Sequence, residues 1–222
     1  VRRTLLITAF IFSFFSIISA QPSLGVFVGY GLSSFDKELV GGVSLEETAG
    51  YLPIGAQVGY SLTGLSFGSL SFLAEFNYSA VPFTYETFGD LDGTGSETKT
   101  SEIKISQTFV GAVFKMKFGT GFFNPFIRLG GGAYLGSVKQ EFTQEVKDYL
   151  QQYGQTIEDA DIDFKTAFGF NIGAGTDIRI GKVTGLFGEF VYHVVSRELD
   201  MEGAQSQGAN NWAVLVGFQI AI

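Results

Sequence analysis

The single histidine of the chain, His193, lies four residues beyond Glu189. A carboxylate and an imidazole at that spacing share one face of a strand, and could serve as a general base and the group that orients it. Nothing else in the sequence completes the chemistry. There is no Gly-x-Ser-x-Gly elbow, no His-Glu-x-x-His pair and no P-loop, so His193 reads as a hydrogen-bonded filler and the chain as no enzyme. Asp90, Asp92 and Glu97 around Gly93 and Gly95 faintly suggest a calcium loop, but the ligand spacing of such a loop is missing and no metal is expected. With no cysteine, disulfides and thiolate metal sites are excluded. No cofactor is expected.

The elements that carry these residues are strands. Among 222 residues there are 30 Gly, 24 Phe and nine Tyr against four Pro, and only 16% are charged, too few for a disordered chain. Val1 to Ala20 carries Arg2 and Arg3, an apolar run from Leu5 to Ile18 and a small-residue exit at Ser19-Ala20. That is the anatomy of a cleaved secretory signal, so residues 1–20 are expected to be a signal peptide and 21–222 the mature domain. Past residue 23 the hydrophobic period is two. Trp212, Val214, Val216, Phe218, Ile220 and Ile222 alternate with smaller or polar residues, as do Leu70, Phe72, Ala74, Phe76 and Tyr78. Strands are predicted at 24–32, 53–62, 69–79, 104–118, 125–138, 164–180, 185–196 and 210–222. The connections alternate between short (63–68, 119–124, 181–184) and long (33–52, 80–103, 139–163, 197–209). Pro22, Pro53, Pro82 and Pro125 are expected at strand ends or beyond.

One face of each strand is greasy and the other is mostly Gly, Ser, Ala and Asn with sparse charges. A soluble barrel has the opposite arrangement, with a charged outside. The expected fold is therefore all-β, an eight-stranded antiparallel transmembrane β-barrel with short periplasmic turns and long extracellular loops. Parity points Glu75, Lys115, Lys117, Arg128, Lys165, Asp177, Arg179 and Glu189 inward, with His193 on the same face and Lys104 near a rim. Confined charges need partners. Glu75 and Glu189 are expected to neutralise Arg128 together with Lys115 or Lys117, and Asp177 to neutralise Arg179. Outward aromatics sort into two girdles, with Tyr30, Tyr78, Phe168, Tyr192 and Trp212 towards the loops and Tyr60, Phe72, Phe114, Phe118 and Phe218 towards the turns.

With its signal segment, its Gly-aromatic strands such as GVFVGYGL and FGFNIGAG, and its final WAVLVGFQIAI, the chain resembles the small bacterial outer-membrane β-barrels of the OmpA/OmpX type, including those grouped as porin-like outer-membrane β-barrel domains. The resemblance spans about residues 24–222. It implies a Gram-negative outer-membrane location, contact with outer-membrane lipid and lipopolysaccharide, and the barrel-assembly machinery as a partner during biogenesis. In that family the last strand usually ends in an aromatic residue; here Ile222 is last and Phe218 stands four residues earlier.

Charge is segregated along the chain. The four long loops hold 19 of the 22 acidic residues and carry net −14, while the mature strands and short turns carry net +4. An acidic chain of formal charge −8 is not a nucleic-acid binder. The acidic loops suit solvent, or a cationic extracellular partner. Glu141 to Tyr153 places Phe142, Val146, Tyr149, Leu150 and Tyr153 at helical spacing, so a short amphipathic helix is expected inside the longest loop. The expected role is a non-enzymatic barrel serving surface interaction or envelope integrity, its interior closed by ion pairs. Two alternatives stay open: a narrow pore passing anions or small molecules, motivated by Lys115, Lys117, Arg128 and Arg179, and a PorT-like component of an envelope export machine.

Overall fold

The computed structural model describes residues 19–35, 49–86, 99–197 and 207–221. The signal segment up to residue 18 and the candidate calcium loop with Asp90, Asp92 and Glu97 lie outside these residues. The period-two segments form strands: β1 (Ser19–Phe35), β2 (Ala49–Tyr51), β3 (Ile54–Leu65), β4 (Gly68–Glu86), β5 (Lys99–Phe118), β6 (Phe123–Phe142), β7 (Ala160–Asp163), β8 (Ala167–Arg179), β9 (Thr184–Arg197) and β10 (Gln207–Ala221). One helix, α1 (Gln144–Gln152), lies between β6 and β7. The strands β1, β3, β4, β5, β6, β8, β9 and β10 pair antiparallel in that order, and β10 pairs back onto β1 from Ser23↔Ala221 to Phe35↔Ala209. The sheet is thus a closed ring of eight. Closure gives every strand two neighbours, which is the only way a sheet meets hydrocarbon without orphaned N–H and C=O groups.

The register sets the width of the bore. Following the inward row, Ser23 lies opposite Gly59, then come Leu73, Val113, Gly130, Asn171, His193 and Asn211, and the row returns to β1 at Ser33. The row therefore climbs ten residues in one circuit. Eight strands with that stagger tilt by about 40° and leave a backbone cylinder of about 8 Å radius, which side chains fill.

Three features differ from the sequence reading. Strands β4, β5 and β6 run on to Glu86, back to Lys99 and on to Phe142, well into the segments read as loops. The alternation continues there in a muted form, with Val81 buried inside the ring, while the polar composition hides it. The strand expected from residue 164 begins at Ala167, because the chain breaks the β6 ladder between β7 and β8, where the Phe164 N–H donates to the Gly136 carbonyl at 2.8 Å. Lys165 consequently lies between strands and is exposed rather than inward. Proline placement also departs from expectation. Pro53 separates β2 from β3, its carbonyl accepting from the Gly29 N–H at 2.9 Å, but Pro22, Pro125 and Pro82 lie within β1, β6 and β4. Pro82 pairs with Lys104 where β4 has already run past Tyr78, its last partner on β3, so no second ladder is broken.

Strand crossing at this small radius leaves no room for a side chain at Gly59. A Cβ there would stand 1.9 Å from the Phe72 carbonyl oxygen, whereas a Cβ on Gly188 would meet nothing within 4 Å. Gly59→Ala should therefore lower the fraction of refolded protein that shows a heat-dependent shift in gel mobility, the behaviour of a closed barrel that resists detergent until boiled, while Gly188→Ala should leave it unchanged. Equal refolding of the two variants would contradict the register described here.

Candidate functional site

Inside the ring, parity brings charges from β4, β5, β6 and β9 to one level. Arg128 on β6 is the hub. Its Nη1 donates to Glu189 Oε1 at 2.5 Å, and its Nη2 donates to Glu75 Oε1 and to Asn171 Oδ1, each at 3.0 Å. Lys115 Nζ donates to the second oxygen of Glu189 at 2.7 Å. Two cations and two carboxylates thus form a neutral, dry group in which the Arg128, Glu75 and Glu189 side chains have no solvent exposure. The Lys115 ammonium also lies 4.9 Å from the ring centre of Phe126 and 4.6 Å from that of Phe187, so aromatic faces supply the rest of its environment.

The loop side of this layer is closed by rings and then by aliphatic groups. His193 Nδ1 lies 2.9 Å from the Tyr134 hydroxyl, and Phe109 packs against both rings with centroid distances of 6.0 and 4.9 Å. Val81, Ile105, Val138, Phe164 and Val195, together with Tyr51, continue the buried cluster towards the loops. The Tyr134 partnership gives His193 a structural occupation.

On the turn side, Lys117 contacts Asp177 and its Nζ donates to Gln219 Oε1 at 3.4 Å. The expected Asp177–Arg179 pair is therefore replaced by Asp177–Lys117. Arg179 is the last residue of β8 and is exposed at the turn rim, whereas the Lys117 stem reaches across the bore to a partner 7% exposed. The level reached by each inward side chain depends on the stagger between strands, which sequence parity does not contain. The role of Asn171 as an acceptor for Arg128, and of Phe126 and Phe187 as walls for Lys115, was missed by sequence reasoning. A polar Asn on the inward parity of FGFNIGAG was the available signal.

The outer face is the complement. Val26, Tyr60, Phe72, Leu129, Phe170, Ile172 and Val216 are each more than half exposed. Through the barrel spans, every outward residue described on β1, β3, β8 and β10 is uncharged. All ten girdle aromatics fall on this face, with Phe168 the most exposed; Phe72 meets Phe114 edge-on at 5.2 Å, and Trp212 meets Phe190 at 5.8 Å.

Among the described loop residues, α1 presents Val146 inward and stacks Tyr149 on Tyr153 at 5.0 Å. It ends at Gly154, whose φ of 72° lies in the left-handed region, with its N–H donating to the Gln151 carbonyl. Asp159 ties the helix to the hairpin, accepting from Lys147 Nζ and the Phe142 N–H, each at 2.9 Å. The Lys147 hydrogen bond, aided by the Phe142 N–H, holds the Asp159 carboxyl below the usual carboxylate range. On the neighbouring β6–β7 ladder, hydrogen bonding to Asp161 raises the pKa of Lys139.

No protein-family model matches the sequence, and no curated protein sequence matches it. Solved structures do match in fold. The crystal structure of Neisserial surface protein A superposes with a TM-score of 0.54 at 11% identity, covering 92% of this chain and 99% of that one. AlkL, solved by solid-state NMR in lipid bilayers, gives 0.49 at 12% identity over 91% and 90% of the two chains. OprG from Pseudomonas aeruginosa gives 0.44 at 11% identity over 91% and 96%. The fold is that of the small eight-stranded outer-membrane β-barrels.

Two outcomes follow from the geometry. Glu189→Gln leaves Arg128 and Lys115 short of a buried carboxylate, so urea unfolding in lipid vesicles should show a loss of about 3–5 kcal/mol, while Asp161→Asn on the exposed β7 should leave the unfolding midpoint unchanged. For Asp159 the folded value is depressed, so its contribution is present above the unfolded value of about 4 and disappears as pH falls through the lowered folded value. Ring–ring NMR contacts between Tyr149 and Tyr153 should weaken in that acid range while the barrel persists, and Asp159→Asn should weaken them at neutral pH.

Proposed function

We propose that this chain is an integral outer-membrane barrel whose bore is shut and whose work is done by the parts that rise beyond the membrane, in surface interaction or envelope integrity. The supporting observation is the Arg128–Glu75–Glu189–Lys115 group, which spans the bore with no exposed charge and is backed on the loop side by the Phe109–Tyr134–His193 layer. An ion following the axis would have to break these pairs and then pass an aliphatic plug. Three of the four cations that would favour anions in a pore are set against a carboxylate here, Lys115 and Arg128 on Glu189 and Lys117 on Asp177, and the fourth, Arg179, stands at the turn rim outside the closed level.

Residence in the outer membrane is supported by closure of the ring and by the uncharged apolar face, which suits lipid hydrocarbon but not water. Under this reading residues 1–20 act as a cleaved export signal, although β1 already begins at Ser19. The girdle aromatics sit at the two interfaces, the outer leaflet's lipopolysaccharide surrounds the loop end, and the assembly machinery inserts the chain. The acidic loop segments would recruit a partner of positive charge. His193 is bonded to Tyr134 and packed on Phe109, the place of a side chain that fills the bore.

Purified protein in planar lipid bilayers should give no discrete conductance steps under an applied voltage. Reproducible unitary openings from the wild-type chain would overturn the closed-bore reading and make the anion pore the better account.

A further inference from the structure

Below the charged group, the turn end of the bore opens into a cavity of about 120 Å³, the liquid volume of about four waters. Its wall brings together Lys117, Asp177, Arg179 and Lys182 with the hydroxyls of Ser69 and Thr184. These residues come from β4, β5, β8, β9 and the short turn between the last two, so the fold rather than local sequence assembles them. Asp177 is already engaged by Lys117. Among the described residues no carboxylate lies within 4 Å of Arg179 or Lys182, which leaves two unneutralised cations on the rim of one concavity.

We propose that this vestibule binds a phosphate group. Two uncompensated cations of like sign repel one another, and a doubly charged oxyanion placed between them removes that repulsion where a single chloride neutralises only half. Arginine offers a planar fork suited to two oxygens of a tetrahedral anion, lysine supplies a mobile point charge, and hydroxyls serve the remaining oxygens. Ser69 and Thr184 are half-buried in the wall, which strengthens their contacts relative to an open surface. The cavity stops short of the Lys115–Glu189–Arg128 layer, none of whose residues lines it, and that layer shuts the bore beyond it. The site therefore captures and does not conduct, and it stands whether or not the outer parts have a partner.

The test uses the mature chain refolded in a maltoside detergent, which carries no phosphate, at ionic strength held constant with sodium chloride. Inorganic phosphate and, separately, glycerol phosphate are titrated by calorimetry. Saturable one-site binding is expected, weakened at least tenfold in R179Q/K182Q and unchanged in Lys147→Gln, whose side chain lies at the opposite end. Amide NMR signals of Gly181 and Thr184 should shift during the same titration. Binding of the inorganic ion alone identifies a free oxyanion as the ligand; binding of both identifies a phosphate ester, such as a headgroup or sugar phosphate, as an equal occupant. Absence of saturable binding by either probe, or equal affinity in the double variant, overturns the proposal. Because both replaced side chains are exposed at the turn end, each single variant offers a second reading if the double variant refolds poorly.

Discussion

Pairing of the last strand with the first is the constraint on which everything else rests. Until β10 lies along β1, each of these two strands has an open edge, and in hydrocarbon that edge leaves a row of unsatisfied N–H and C=O groups costing several kcal/mol apiece, on the order of the unpaired-amide penalty. Once the ladder from Ser23 to Phe35 is formed, the stagger is fixed, and with it the tilt of every strand and the radius of the bore. The interior then has room for side chains and little else. The same closure that satisfies the backbone thus decides which residues must share a confined space.

Confinement explains the order of chemical types along the axis. Near the turns, where water enters, Lys117 contacts Asp177 while Arg179 stays exposed. At the middle level they are dry, so Arg128 is met by two carboxylates and an amide, and Lys115 by one carboxylate and two aromatic faces. Above that level the bore changes to rings and then to aliphatic side chains. Replacing the charged level by apolar residues of similar volume need not weaken such a structure. Its contribution lies as much in discriminating against wrong registers, since a slip of one residue on any strand sends its inward charges to the lipid face.

Much of this was legible in the sequence because a strand has a period of two and a membrane barrel reverses the usual sense of its faces. All eight ring strands and the side to which Glu75, Lys115, Arg128, Asp177 and Glu189 point can be read from alternation alone, and helical spacing within Glu141–Tyr153 marks the helix, which forms at Gln144–Gln152 while Glu141 and Phe142 stay in β6. What alternation lacks is height. Asp177 pairs with Lys117 and not with Arg179 because of the stagger between neighbouring strands, a quantity set by closure of the whole ring. The outer extents of β4 to β6 were illegible for a different reason, since their exposed faces change from apolar to polar once they leave the region of greasy surface, and polarity was being used as the mark of a loop. Lys165 misled in the opposite sense: the alternation through Phe164 and Thr166 continues across a break that only the hydrogen bond from Phe164 to Gly136 reveals.

The length of β5 has a mechanical meaning. Its 20 residues, at the tilt fixed by the register, rise about 50 Å along the barrel axis, roughly twice the apolar band of an outer-membrane barrel. With β4 and β6 beside it, the upper half is a stiff three-stranded mast and not a tether. The strand ends at Glu86 and Lys99 thereby stand some 20 Å above the hydrocarbon edge, with their orientation relative to the bilayer set by the strands. Anything approaching from outside would meet those strand ends before it met any lipid.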